Sequence, residues 1–163
     1  MTRLMERMIE RMTGRRMRQM SVGLALLCWF STASLWAVDL ASIQQEPNLE
    51  RRNQLAIQSA NSALDTARTT YQANDLDKTR ASLDEAGEAV SLAYSSLQQT
   101  GKEARRDPKF FKKTELATRQ MLRRIEGMAE SMNFEDRSLV DKLRERVAAI
   151  HENLLQDIMA KKK

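Results

Sequence analysis

LDKTRASLDEAGEAVSLAYSSLQQT, residues 76–100, is the stretch that decides the fold. Apolar or small side chains recur in it at alternating steps of three and four residues, which places them on one face of an α-helix. The alternation is maintained over three heptads, as in helices that pack against other helices. The stretch therefore predicts a long amphipathic helix over 76–100. Its predicted buried face consists of Leu76, Thr79, Leu83, Ala86, Val90, Ala93 and Leu97.

The sequence before this helix predicts a second helix of the same kind over residues 49–73. Asn48 is a candidate N-cap, and Asn74-Asp75 is a turn signal, because Asn tolerates a positive φ and Asp can cap the following helix. The short connection predicts a helical hairpin. The predicted buried face of this helix consists of Leu49, Ala56, Ala60, Ala63, Leu64, Ala67 and Tyr71.

The sequence after the deciding stretch predicts two more helices, over residues 108–132 and 134–160. Gly101 fits the C′ position that ends a helix, and Asp107-Pro108 fits N-cap and N1 of the next. Asn133 is expected to end the third helix and to cap the fourth. The predicted buried positions are Phe111, Thr114, Thr118, Met121, Leu122, Ile125, Met128 and Met132, followed by Val140, Leu143, Val147, Ile150, Leu154 and Ile158.

Four helices of similar length predict an all-α protein. One apolar face per helix is buried most economically when all four close on one core, so we expect an antiparallel four-helix bundle made of two long hairpins over residues 49–160. The alternative is two hairpins that pair with a second chain.

Residues 1–37 have the organisation of a secretory signal peptide. Six arginines precede residue 20, an apolar stretch follows over 22–36, and Ala37 offers a small residue for cleavage. The apolar stretch is shorter than the roughly 20 residues that span a bilayer, which favours cleavage over an uncleaved anchor. We therefore expect export, to a bacterial periplasm, or anchoring in the inner membrane facing the periplasm. Residues 38–48 are interpreted as a polar lead.

Most of the basic character of the chain belongs to this predicted signal. Residues 38–163 carry 21 basic and 20 acidic side chains, so the near-neutral remainder argues against a nucleic-acid partner. Charge is unevenly placed within it: residues 38–100 carry 5 basic and 9 acidic side chains, whereas residues 101–163 carry 16 and 11. The second half is the candidate for anionic partners.

The sequence contains no pattern of residues that indicates catalysis, a metal or a cofactor. The single cysteine, Cys28, lies inside the predicted signal, and the single histidine, His151, is expected to be a partly exposed surface residue. A lone histidine is a poor metal site, and no nucleophile, phosphate-loop or dinucleotide motif is present. We expect a protein that is not an enzyme and has no cofactor.

The candidate binding surface is a basic segment that includes aromatic residues. Such a surface suits an acidic protein partner or an anionic envelope surface. The alternative is that Phe111 packs inward and the charges are merely solvated. The candidate residues are Lys102, Arg105, Arg106, Lys109, Phe110, Lys112, Lys113, Arg119 and Arg123.

Residues 59–86, SANSALDTARTTYQANDLDKTRASLDEA, resemble one tetratricopeptide helix-turn-helix in the small residues Ala63 and Ala67, in Tyr71, and in the turn before Leu76. The resemblance implies a peptide-binding hairpin, although the closing proline and a second repeat are missing. Three functions remain open. The first is a non-catalytic exported structural or protein-interaction module with a protein partner or self-association; the others are a periplasmic chaperone or envelope-stress protein using the basic loop, and a tetratricopeptide-like peptide binder.

Overall fold

The computed structural model describes residues 40–159, and four long helices pack together there without any strand. This confirms the predicted all-α class. The predicted signal, residues 1–37, and residue 160 lie outside the described residues. None of the helices between Leu40 and Met159 is long and apolar enough to cross a membrane. The elements are α1 (Leu40–Gln44), α2 (Leu49–Gln72), α3 (Leu76–Gln99), α4 (Pro108–Ser131), a 3₁₀ turn (Phe134–Asp136) and α5 (Ser138–Met159).

The short helix α1 lies within residues 38–48, which the sequence predicts to be a polar lead. Ile43 is only 1% exposed and packs against Ala56 of α2 and Ala93 of α3. The Arg52 guanidinium donates two hydrogen bonds, of 2.8 and 2.6 Å, to the carbonyl oxygen of Glu46. One buried isoleucine and this pair of bonds hold the segment against the first hairpin, even though most of its residues are polar.

Helices α2 and α3 form an antiparallel hairpin with an extensive interface. The turn uses Asn74 in the left-handed conformation, at a φ of 59°, and the Asp75 side chain accepts a hydrogen bond from the Lys78 amide. The hydroxyls of Thr70 and Thr79 share a hydrogen bond of 3.0 Å directly beside the turn. The turn chemistry that the sequence predicts is therefore present.

The connection between α4 and α5 differs from the prediction. The fourth helix was expected to begin at 134 with Asn133 as its cap, but the Asn133 side chain makes no capping bond, and α5 begins only at Ser138. The Tyr71 hydroxyl explains the longer connection: it accepts from the Asn133 amide at 2.9 Å and donates to the Asp136 carboxylate at 3.0 Å. These two bonds fix the 3₁₀ turn to the end of α2.

The two hairpins meet through helices that run side by side in the same direction. Contacts between α2 and α4 include Arg124 with Asn61, and contacts between α3 and α5 include Lys142 with Asp84 at 2.7 Å. In both pairs of helices, the contacting residues lie about sixty positions apart in the sequence. The contacts follow the same order along the two helices of a pair. Contacts between the hairpins are fewer than those within the first hairpin.

The predicted buried faces are confirmed almost throughout. Four of their apolar positions, Leu49, Leu76, Leu122 and Ile158, are half-buried instead of buried, as is Tyr71. The fully buried members include many small side chains, which let the helix backbones approach closely. The buried apolar residues of the four long helices are Ala56, Ala60, Ala63, Leu64, Ala67, Leu83, Ala86, Ala89, Val90, Ala93, Leu97, Phe111, Met121, Ile125, Met128, Val140, Leu143, Val147, Ile150 and Leu154.

We predict that Ala86→Leu destabilises the protein by about 1–3 kcal/mol, because Ala86 is fully buried and a larger side chain would overpack the interface. The matched control is Ala81→Leu, since Ala81 is an exposed alanine of the same helix and its substitution should change stability by less than about 0.5 kcal/mol. Urea denaturation of both variants measures the difference. Equal stability of the two variants would contradict close packing at Ala86.

Candidate functional site

The basic connector between α3 and α4, residues 100–107, has a defined conformation and packs against the bundle. Gly101 adopts a positive φ of 64°, the conformation that allows glycine to end a helix without steric cost. Ala104 is 5% exposed and belongs to the main core, so the middle of the connector is held against the bundle. The amides of Arg106 and Asp107 donate to the Glu103 carbonyl. The connector is thus an ordered turn whose charged side chains point outward.

Most cations of this connector have partners within the molecule. The Lys102 ammonium lies 2.6 Å from the Glu50 carboxylate and 3.0 Å from that of Asp107, and Arg106 lies 3.2 Å from Glu103. Hydrogen bonds to Glu50 and then to Asp107 raise the pKa of Lys102 above its ordinary value. Asp107 makes no side-chain capping bond, which corrects its predicted role as N-cap of α4. Its carboxylate contacts Lys102 instead.

The two aromatic residues of the segment are largely withdrawn from the surface. Phe111 is 3% exposed and packs in the main core, and Phe110 is half-buried against it. Lys109 lies over the Phe110 ring, 5.4 Å from its centroid, which is a cation–π contact. The inward packing of Phe111 that was the alternative interpretation is therefore correct. Basic side chains, without an aromatic pair between them, form the exposed surface.

The exposed surface of α4 brings together the remaining candidate residues, and we call it the α4 basic face: Lys109, Lys112, Lys113, Leu116, Arg119 and Arg123. Residues three or four apart are neighbours on a helix, so these six form one continuous strip. Leu116 is 44% exposed at its centre. The sequence interpretation missed this leucine because the buried series of α4 passes on the opposite side of the helix.

The cations of the α4 basic face fall into two groups. Lys109 lies over the Phe110 ring, and Arg119 contacts Glu115 at 3.5 Å. By contrast, Lys112, Lys113 and Arg123 have no carboxylate within 4 Å among residues 40–159. Exposed ion pairs contribute little to stability, but an unpaired cation is free to contact an external anion without first losing an internal one.

Arg123 also extends the α4 basic face toward α2. It lines a groove of about 250 Å³ together with Arg68, Arg124 and Gly127. Arg124 is held in place by Asp65 and by Asn61, whose side-chain oxygen accepts at 2.7 Å. The sequence alone could not identify this groove, because Arg68 and Arg123 belong to different hairpins.

A buried polar contact fixes α4 against the first hairpin. The Asn53 amide nitrogen donates to the Ala93 carbonyl at 2.8 Å, and the Thr114 hydroxyl donates to the Asn53 side-chain oxygen at 3.1 Å. Asn53 and Thr114 are 2% and 1% exposed, respectively. This contact joins α2, α3 and α4 directly beneath the unpaired lysines, and so determines how the α4 basic face is presented.

His151 is a residue of α5 that lies beside α4, and it is partly exposed, as predicted. Its Nδ1 is 3.2 Å from the Thr118 hydroxyl and 3.9 Å from the Glu115 carboxylate. Thr118 already donates to the Glu115 carbonyl, so its oxygen is left to accept from Nδ1–H. Residues 40–159 contain no group of three His, Cys, Asp or Glu side chains arranged to hold a metal ion.

Comparison of the chain with protein-family models, with curated proteins and with solved structures finds no match. Its function is therefore inferred from the residues themselves.

We predict that Asn53→Ala lowers the free energy of unfolding by about 1–3 kcal/mol, because the buried Thr114 hydroxyl loses its partner. Thr114→Val removes the hydroxyl, so the double variant should lose less stability than the two single changes together, by about 1 kcal/mol. Chemical denaturation of the four proteins in this cycle measures the coupling. Asn153→Ala serves as control, since Asn153 is an exposed asparagine of α5. Strictly additive effects would contradict the proposed bridge.

Proposed function

We propose that this protein is a non-catalytic helical interaction module that binds an acidic protein partner through the α4 basic face. The observation that carries the proposal is the placement of three unpaired cations, Lys112, Lys113 and Arg123, around the exposed Leu116. An apolar contact at the centre of a polar rim is the usual arrangement of a protein interface. The surrounding charge accelerates encounter with an acidic surface and selects against basic ones.

The proposed partner is a different chain and not a second copy of this one. In a two-fold symmetric dimer the same face would meet itself, and its cations would lie opposite cations. Such an arrangement leaves like charges close together without compensation. An acidic partner segment removes the repulsion and supplies the missing carboxylates.

A chaperone for unfolded clients is less well supported. Unfolded chains are recognised through apolar surface, and large exposed apolar side chains within residues 40–159 are limited to Leu116, Phe134 and Met159. A tetratricopeptide-like role is also weaker, because the resembling segment lacks the closing proline and a second repeat. An anionic envelope surface is the alternative ligand that the experiment below distinguishes.

The proposal includes a finer architecture and a location. We propose a four-helix bundle of two antiparallel hairpins that is complete in one chain, since the four predicted apolar faces are already largely buried within residues 40–159. We further propose that residues 1–37 are a cleaved signal peptide that directs the module to the periplasm. Support for export comes from the basic, apolar and small-residue order of that segment.

Charge reversal on the α4 basic face tests the partner. A photo-crosslinking amino acid at position 116 of the full chain should capture a discrete protein in cells, and the captured segment should be rich in Asp and Glu. Lys112→Glu, Lys113→Glu and Arg123→Glu together should reduce the product at least tenfold, because reversed charges repel an acidic partner. Reversal of Lys161, Lys162 and Lys163 to Glu is the control with the same change in net charge.

Two outcomes would overturn this partner assignment. One is a crosslinked product that is unaffected by the reversal at 112, 113 and 123 or is equally reduced by the control. The other is absence of any protein product combined with charge-dependent sedimentation of the chain on phosphatidylglycerol vesicles, which would assign the face to an anionic membrane surface.

Cleavage after Ala37 tests the location. The protein recovered from the periplasm should begin at Val38, as read by N-terminal sequencing. Ala37→Trp should keep the full-length species, because the small residue that cleavage requires has been replaced. Recovery of the uncut chain of 18.7 kDa from the membrane would instead indicate an anchor.

A further inference from the structure

A second cationic site lies on other helices, in a cleft between α3 and α5. The cleft has a volume of about 230 Å³. Its polar lining comes from α3 and from the first half of α5, so both hairpins contribute to it. The lining of the cleft includes Arg80, Asp84, Gly87, Ser138, Lys142 and Arg146.

Arg146 is the central side chain of this cleft, and it depends on a glycine. Gly87 is buried, and a Cβ added to it would lie 3.0 Å from Nη1 and 3.3 Å from Cδ of Arg146. The arginine side chain therefore occupies the space that any other residue at 87 would fill. Glycine inside a helix costs about 1 kcal/mol relative to alanine. The space that Gly87 leaves for the Arg146 side chain is a physical reason for a glycine at this position.

Arg146 is a half-buried residue, and its guanidinium has no protein partner to neutralise it. Within residues 40–159 it makes no ion pair or hydrogen bond, and no carboxylate lies within 4 Å of it. Partial burial of a charged group is unfavourable unless that group is paired or hydrogen-bonded. An external anion would supply the negative charge and the hydrogen-bond acceptors that the protein does not provide to Arg146.

The other charges of the cleft leave it positive. Asp84 is engaged by Lys142 at 2.7 Å, and Arg80 contacts the exposed Asp77 outside the lining at 3.5 Å. The lining itself contains three cations and one carboxylate. Because Lys142 and Arg80 are each paired, Arg146 is the lining cation whose charge is left for an external oxyanion to neutralise.

We propose that this cleft binds a phosphoryl oxyanion, with Arg146 as its main contact. The planar guanidinium presents parallel N–H donors that match two oxygens of a phosphate group, and charge-assisted bonds of this kind are the stronger ones. Lys142 and Arg80 add positive charge, and Ser138 adds a hydroxyl donor. The site shares no residue with the α4 basic face and does not depend on the proposed function.

Inorganic phosphate is the probe that tests this site. In NMR titrations of the ¹⁵N-labelled full chain, the Gly87 amide and the Arg146 Nε–H resonance should shift and saturate with phosphate. Sodium chloride at equal ionic strength should produce no saturation. Phosphatidylglycerol vesicles form the second arm: sedimentation that requires Arg146 identifies a lipid headgroup as the source of the phosphoryl group, whereas phosphate binding without sedimentation identifies a free phosphate.

Two glycine variants provide a matched comparison. Gly87→Ala retains every charge but brings a Cβ to 3.0 Å from Nη1 of Arg146, so the guanidinium must shift and affinity should fall several-fold. Gly127→Ala makes the same change in α4, where the added Cβ meets nothing within 4 Å, and should leave affinity unchanged. Arg146→Gln removes the main donor and should abolish saturation. It also serves as the test if Gly87→Ala does not fold.

The proposal is overturned by any of three results. The first is a shift that does not saturate or that chloride reproduces, which indicates screening alone. The second is wild-type affinity in a folded Gly87→Ala or Arg146→Gln variant. The third is that saturable chemical-shift changes are confined to the resonances of Arg68 and Arg123, which would place the anion in the groove between α2 and α4.

Discussion

Close approach of α2 and α3 is the constraint on which the rest of the structure depends. Their interface is built from alanines that are almost completely buried, including Ala60, Ala67, Ala86 and Ala93. Each alanine removes little apolar area from water, so the stabilisation per residue is small. What alanine provides is proximity of the two backbones, and that proximity lets the Asn53 amide reach the Ala93 carbonyl of the facing helix. The second hairpin then packs onto a rigid pair, with larger side chains such as Met121, Ile125 and Leu154 filling the remaining space.

The sequence predicts the long helices well because their signals are local and repeated. The steps of three and four residues through Val90 and the glycine at 101 need no knowledge of the partners that they face. Where the prediction fails, the local structure is determined by a residue that is distant in the sequence. The late start of α5 depends on the Tyr71 hydroxyl, which lies more than sixty residues away from the turn that it holds. Likewise, α1 forms on the surface that Ala56 and Ala93 create together, so its existence follows from tertiary packing.

The same distinction applies to the candidate site. A count of basic residues does not show which cations of the connector and of α4 are already paired, but the structure separates them by the location of carboxylates. Lys102 contacts Glu50 of α2 and Asp107 of its own connector, whereas Lys112 and Lys113 have no such neighbour among the described residues. Which cations remain free for a partner is a property of the folded surface. Sequence reasoning could locate the charge, but it could not determine which part of that charge was already neutralised.

The geometry of the two hairpins explains why cationic clefts arise on both sides of the molecule. Within the first hairpin, α2 and α3 pack extensively against each other. Between hairpins, α2 lies beside α4 and α3 lies beside α5, and each of these pairs is closed only in part by side chains. Each pair includes a glycine, Gly127 or Gly87, at the cleft. Gly127 leaves open space, whereas the space at Gly87 is taken by Arg146. If Gly87 only relieved crowding between the helices, apolar groups of the neighbouring helix would fill the space beside it. A guanidinium that fills this space without a carboxylate partner is available to an external anion, which would neutralise its charge through charge-assisted hydrogen bonds.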